Sequence, residues 1–164
     1  MKKIYLAGPD VFRPDAVEHG HKLKVLCESF GFEGLYPLDN HAPAGLGKQE
    51  LAHWICQANL ALIRQSGAVM ANLNAFRGHE PDSGTVFEVG FAIAMNKPVW
   101  VYTNDGRSLV EQVAVGQEQD RHLDLQGFTV EDFTLNLNLM IACSTRVVVG
   151  DARDCLEKMA AERV

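Results

Sequence analysis

A chain of 164 residues with 47% apolar content is long enough to bury a real core and has no biased tract of the kind that stays unfolded. Its formal net charge of -6, with Lys and Arg scattered along it, disfavours nucleic acid as the main partner and leaves no polybasic patch for a membrane surface. No apolar run is long enough to span a bilayer and no basic start precedes a long apolar stretch, so a cytoplasmic domain covering residues 1–164 is expected.

Lys3 to Ala7 is a short apolar run ending at Gly8-Pro9, which predicts a buried strand and a tight turn. Apolar residues at helical intervals follow from Asp10 to Gly31, with Gly31 as a C-cap. Phe32 to Pro37 reads as a second strand. Residues 39–47 form a loop rich in Gly and Pro. Lys48 to Gln65 predicts a helix with Leu51, Trp54, Ile55, Ala58 and Leu62 on one face. Gly67 to Leu73 is a third strand, Val99 to Tyr102 a fourth and Arg146 to Val149 a fifth. Asp132 to Ala142 is expected to be helical, and Gly150-Asp151 opens a terminal helix reaching Glu162. The polar, Gly-interrupted segment from Arg107 to Thr129 predicts at most a short helix near Val110 and Val113.

Short, continuously apolar strands alternating with helices predict a parallel sheet covered on both faces. The expected fold is α/β, a five-stranded doubly wound, flavodoxin-like three-layer sandwich. Ligands of that fold bind beyond the carboxyl ends of the strands. The loops after the first strand (Gly8 to Phe12) and after the third (Asn72 to Asp82) should meet there.

Cys27, Cys56, Cys143 and Cys155 are far apart and form no C-x-x-C pair. They read as free thiols, not as a disulfide framework or a metal site.

The informative stretch runs from Phe76 to Ala92. A polar loop is followed by an apolar helical segment, Val86 to Met95, that is expected to be buried and that contains one carboxylate, Glu88. A buried glutamate is costly unless paired. Asp82 or Ser83 should cap this helix. Thr85 and Ala92 share the Glu88 face and leave room for a ligand, while a salt bridge is the bland alternative for Glu88. Phe12, Trp54 and Phe76 could stack on a planar ligand, although core packing is favoured for Trp54. His41 and His53 have no ligand spacing, His79 is a candidate to line the site, and Gln49 could reach it from the start of its helix. Arg77 could simply anchor its loop. An ionised carboxylate near a strand-end cleft suits covalent glycosyl chemistry. The chain lacks the H-x-E signature of zinc deaminases, the G-x-G-x-x-G fingerprint and the P-loop.

Tyr5-Leu6-Ala7-Gly8-Pro9-Asp10-Val11-Phe12, Ala71 to Gly78 and Glu80 to Gly90 resemble the nucleoside 2-deoxyribosyltransferase family, as does Asn138-Leu139-Met140. The resemblance implies Glu88 as nucleophile, Tyr5 as the group that orients it and Asp82 as a deoxyribose contact. It implies that Gly8, Phe12, Asn72, Arg77 and Gly78 surround the substrate. Asn138 and Met140 would be lent to a neighbouring subunit, in a homo-oligomer that is commonly hexameric. The implied partners are deoxynucleosides and free nucleobases, and no cofactor is implied. Some members carry an aspartate at or near the position of Asn72 to handle the proton on the base. Asn72 can hydrogen-bond a base but cannot act as a general acid. The proton source therefore stays open between Asp82 and water, as does the choice of bases. An N-glycoside hydrolase of deoxynucleosides or their 5'-monophosphates is the alternative, although the acidic, apolar loop Gly8 to Phe12 disfavours phosphate. A non-catalytic binding module of the same fold is the third reading.

Overall fold

The structure is a computed structural model that describes residues 1–162. Its main sheet holds β1 (Lys2–Ala7), β2 (Phe32–Leu35), β3 (Ala68–Asn72), β4 (Val99–Thr103) and β8 (Arg146–Val149). All are parallel, in the order β2-β1-β3-β4-β8. This is the flavodoxin-like order, with the switch between β1 and β3. On one face α1 (Ala16–Ser29) and α6 (Ala152–Ala161) cover Ile4, Leu6, Met70, Trp100 and Val148. On the other, α2 (Lys48–Gln65) and α3 (Ser83–Ala94) cover Tyr5, Val69, Ala71 and Val101. The two-residue period of a strand thus decides which layer each side chain joins.

Most expected elements form within a residue or two of their predicted ends, and α2 has the predicted bounds. Three expectations change. The first helix begins later: a 3-10 turn spans Pro9–Phe12, and α1 opens at Ala16. Arg13 precedes Pro14 and is extended (φ −67°, ψ 148°), as the proline ring requires of the residue before it.

The second change is at Asp132 to Ala142. Only α5 (Leu139–Ala142) is helical, capped by Asn138, whose side chain accepts from the Met140 N–H at 3.0 Å. Thr134 has φ +57°, which breaks a helix, and the carbonyls of Leu135 and Asn136 are taken by Leu109 N–H and Gln112 Nε2. Those donors belong to α4 (Leu109–Val113). After α4 the chain forms a small antiparallel sheet of β5 (Gly116–Glu118), β6 (Arg121–Leu123) and β7 (Thr129–Val130), which the polar sequence of this segment did not reveal.

The third change concerns α3. Only one stripe of it is buried, through Thr85, Val89 and Ala92, while Phe87 is 60% exposed. Among the described residues all four cysteines are free; Cys27 and Cys155 are buried, and Cys56 and Cys143 are exposed. No helix among them is long and apolar enough to cross a membrane.

Gly20 lies in the middle of α1 against the ring of Tyr36, which is 3% exposed, and an added Cβ would run into that ring. Alanine should gain about 1 kcal/mol in helix propensity. Overpacking against a buried ring costs roughly 1–3 kcal/mol, so it should win. Gly20→Ala is expected to lower the melting temperature, and a rise would show that the Tyr36 ring moves aside freely.

Candidate active site

Three elements converge on one carboxylate. Tyr5 stands on the face of β1 that α2 and α3 cover. Its hydroxyl donates to Glu88 Oε1 at 2.7 Å. From α2, Asn59 Nδ2 donates to the same oxygen at 3.3 Å. Both donors meet Oε1, and among the described residues none meets Oε2. The carboxylate is thus oriented through one oxygen while the other is left for a ligand.

Burial pushes the Glu88 carboxyl up, to about 7, against the hydrogen bonds from Tyr5 and Asn59, which stabilise its charge; the Asp82 charge adds to the rise. Burial, and then the adjacent Glu88 charge, push the Tyr5 phenol far above its ordinary range. Tyr5 therefore stays a neutral donor, and Glu88 titrates near neutrality.

Asp82 caps α3. Its Oδ2 accepts from the Thr85 N–H and from Thr85 Oγ1, both at 2.8 Å. This bond fixes the start of the helix, and so fixes Glu88 six residues on, beside Thr85 and nearly two turns from the cap. A cavity of about 400 Å³ opens over this pair. Gly8, Val11 and Phe12 line it from the first loop, Leu38 and Asn40 from the loop after β2, and Trp54, Ile55, Ala58 and Asn59 from α2. Its wall is mostly apolar with a few convergent polar groups, which suits a planar heterocycle carrying a polar sugar. Gly8 allows the loop to pass here: a Cβ would come within 2.8 Å of Asp10 Oδ2 and 2.9 Å of Asn72 Cβ. A larger, more open groove of about 700 Å³ between the start of α1 and Leu38-Asp39 does not reach Glu88.

Glu88, Tyr5, Asp82, Gly8 and Phe12 are therefore brought together. Arg77 is beside them: its guanidinium lies 5.2 Å from the ring of Phe12 and 4.6 Å from that of Phe76. Gly78 is exposed, with φ +148°, and does not line the cavity. Asn72 is not in the cavity. Its side chain projects to the opposite face of the sheet, where Nδ2 donates to Asp10 Oδ2 at 2.9 Å and Oδ1 accepts from Asn74. Strand parity is the reason: Ala71 and Leu73 face α2 and α3, so Asn72 between them cannot. Asn138 and Met140 are also away from this cavity, both exposed, with Asn138 lining a separate space of about 250 Å³ beside Glu80 and Val113.

Trp54 lines the cavity instead of packing in the core. His79 lines a separate cavity of about 190 Å³ beside Asn104 and Asp105, and Gln49 lies on the outer side of α2. His41 and His53 are exposed. Sequence reasoning missed Asn59 and Asn40. Asn59 had a signal: it is a polar residue set among Ile55, Ala58 and Leu62 on the inward stripe of α2. Asn40 had none beyond its place in a loop.

The sequence model of the family described as nucleoside 2-deoxyribosyltransferase matches residues 4–140. The chain belongs to the nucleoside 2-deoxyribosyltransferase family. It is 30% identical to a 2-desoxiribosyltransferase from Leishmania mexicana, with a TM-score of 0.81 over the whole of both chains. A 2-deoxyribosyltransferase from Bacillus psychrosaccharolyticus shares the fold at 22% identity and a TM-score of 0.54, over 71% of this chain and 85% of that one. An uncharacterized protein of Schizosaccharomyces pombe is 32% identical over 123 residues, 71% of this chain. The match spans 56% of the length of that relative. The family match covers both ends of the constellation, from before Tyr5 to Met140.

Tyr5 and Asn59 both favour the charged carboxylate, so removing either should raise the Glu88 pKa further above 7. With side-chain carboxyl NMR, Glu88 in the wild-type protein should titrate near 7, and in Tyr5→Phe and Asn59→Leu at higher pH. An unmoved titration in both variants would show that neither hydrogen bond persists in solution.

Proposed function

We propose that this chain transfers 2-deoxyribosyl groups between nucleobases through a covalent ester on Glu88. The observation that carries the reading is the Glu88 carboxylate, anchored through Oε1 and open at Oε2, at the edge of a largely apolar cavity of nucleoside size. In the first step Oε2 attacks the anomeric carbon. The bond from that carbon to the base nitrogen breaks, its electron pair leaves with the base, and the base takes up a proton. In the second step a different base attacks from the vacated side. The bond from the anomeric carbon to Oε2 breaks, its electron pair returns to Glu88, and the new base gives up the proton on its attacking nitrogen. Two displacements give retained configuration. Asp82 is the other carboxyl lining the cavity among the described residues, and it is assigned to the deoxyribose. Asn59 and Tyr5 are positioning residues: they aim the nucleophile and hold down its pKa. Phe12 and Trp54 supply aromatic surface for the base. The reaction as proposed calls for no cofactor.

The attacking form of Glu88 is the ionised one, so turnover should rise with pH through about 7 on its acid side. The direct test is incubation of a purine deoxynucleoside with a second free base, followed by chromatography. A new nucleoside supports transfer. Deoxyribose alone would mean hydrolysis, and no reaction would favour a binding module. Glu88→Gln keeps the shape of the side chain and should lower exchange by roughly three orders of magnitude or more, as loss of a covalent nucleophile does elsewhere. Full activity in that variant would refute the mechanism.

Asn138 and Met140 lie outside their own cavity and are exposed, with Met140 at 70%. We read them as the part of the site given to a neighbouring copy, in a homo-oligomer expected to be hexameric. Mixing Glu88→Gln with Asn138→Ala under conditions of subunit exchange should restore activity, since some sites then hold both intact residues. No recovery after proven exchange would count against a shared site.

A further inference from the structure

Two loops that each border the cavity, the first at Phe12 and the second at Asp82, are joined twice. Beneath, Asp10 in the first loop accepts from Asn72 Nδ2 at 2.9 Å, and His19 Nε2 lies 3.1 Å from its other oxygen. Asn72 Oδ1 in turn takes the N–H and Nδ2 of Asn74, at the start of the second loop. Above, Phe12 and Phe76 stack at 5.4 Å with their planes 17° apart, and the Arg77 guanidinium lies over both rings. The upper join needs an unusual backbone. Arg77 sits at φ +55°, in the left-handed region that favours glycine, and Gly78 follows at φ +148°. The Phe76 N–H closes this turn onto the Glu80 carbonyl at 3.0 Å. Phe12 lines the cavity while remaining 56% exposed, so it stands at the rim. The turn thus holds Phe76 and Arg77 against Phe12, the stack's one member that lines the cavity.

Building on the transfer mechanism above, we propose that the Phe12–Phe76 stack, held by Arg77, sets the choice between a nucleobase and water as acceptor of the sugar on Glu88. The glycosyl ester can be resolved in two ways. In both, the bond from the anomeric carbon to the Glu88 oxygen breaks and its electron pair returns to the carboxylate. In transfer the new bond forms to a ring nitrogen of the base, which loses its proton. In hydrolysis it forms to a water oxygen, which loses a proton and yields free deoxyribose. A planar base can lie against the stack, and water gains nothing from it. A closed stack therefore favours the base twice, by holding it and by shedding water.

The test is the partition of products. A deoxynucleoside is incubated with a fixed concentration of a second base, and the ratio of free deoxyribose to new nucleoside is measured for the wild-type protein, Phe76→Ala and Arg77→Gln. The ratio is independent of how much of each variant folds. It should rise in both variants by roughly threefold to tenfold, as expected for loss of one or two aromatic or cation–π contacts. Wild-type partition in both variants would overturn the inference and leave the transfer reading intact. A wild-type protein that forms no new nucleoside would overturn the transfer reading and this inference with it.

Discussion

The site depends on a single acceptor, Glu88 Oε1, shared by a phenol from β1 and an amide from α2. Those bonds tie three elements together at the carboxyl end of the sheet, and they make an otherwise unfavourable charge tolerable. The tolerance is incomplete. The folded-state value near 7 lies above the ordinary carboxyl range near 4.3, so the protein binds a proton at Glu88 more tightly than the unfolded chain does. That contribution to stability is fully present below about pH 4.3 and is lost as pH rises through 7. At alkaline pH the ionised carboxylate costs the fold on the order of 4 kcal/mol by this linkage. A position chosen for stability alone would carry an apolar residue or a neutral amide. The glutamate makes sense where charge at that oxygen is needed for chemistry.

The parity of the strands distributes the rest of the work. Tyr5 and Ala7 point toward α2 and α3, and Asn72 points toward α1. The two faces of one sheet end therefore have different tasks. The α2–α3 face holds Glu88 and the cavity. The α1 face holds Asp10, His19 and Asn72, which brace the loops that reach over it. Gly8 makes both possible, because the chain must pass within touching distance of Asp10 and Asn72 to turn from one face to the other.

Much of this was legible in the sequence because the signals were local. Glu88 is a carboxylate in an apolar helical segment, Asp82 stands one residue before that helix, and Pro9 follows the first strand. The five-strand alternation fixes the sheet, and the sheet places the loops. What was not legible depends on distant pairings. Asn72 lies within two residues of a site loop, and only the parity of β3 shows that it faces away. Asn59 precedes Glu88 by 29 positions and reaches it because α2 packs on α3. The segment from Asp132 to Asn138 has helical apolar spacing, yet its carbonyls are claimed by α4, and a helix there would leave Gln112 and Leu109 without their partners. Trp54 looked like core for a similar reason: an apolar helix stripe points inward, but the first turns of α2 overhang a cavity and not the sheet.

The open side of the site carries the remaining constraint. In the proposed transfer, the glycosyl ester is useful only if it outlives the departure of one base and the arrival of another, so the cavity would have to open for bases and stay closed to water. A wholly buried pocket would protect the ester and exclude the acceptor. A wholly open one would hydrolyse it. In that proposed transfer the aromatic side chains of two loops at the cavity rim meet this demand, braced by polar contacts on the far side of the sheet. Such a rim is compatible with exchange because its stacked rings can separate for a base at the cost of one weak contact, while the brace beneath keeps the loops in register. On this reading the rigid part of the site sets the rate of attack by Glu88, and the exposed part sets what receives the sugar.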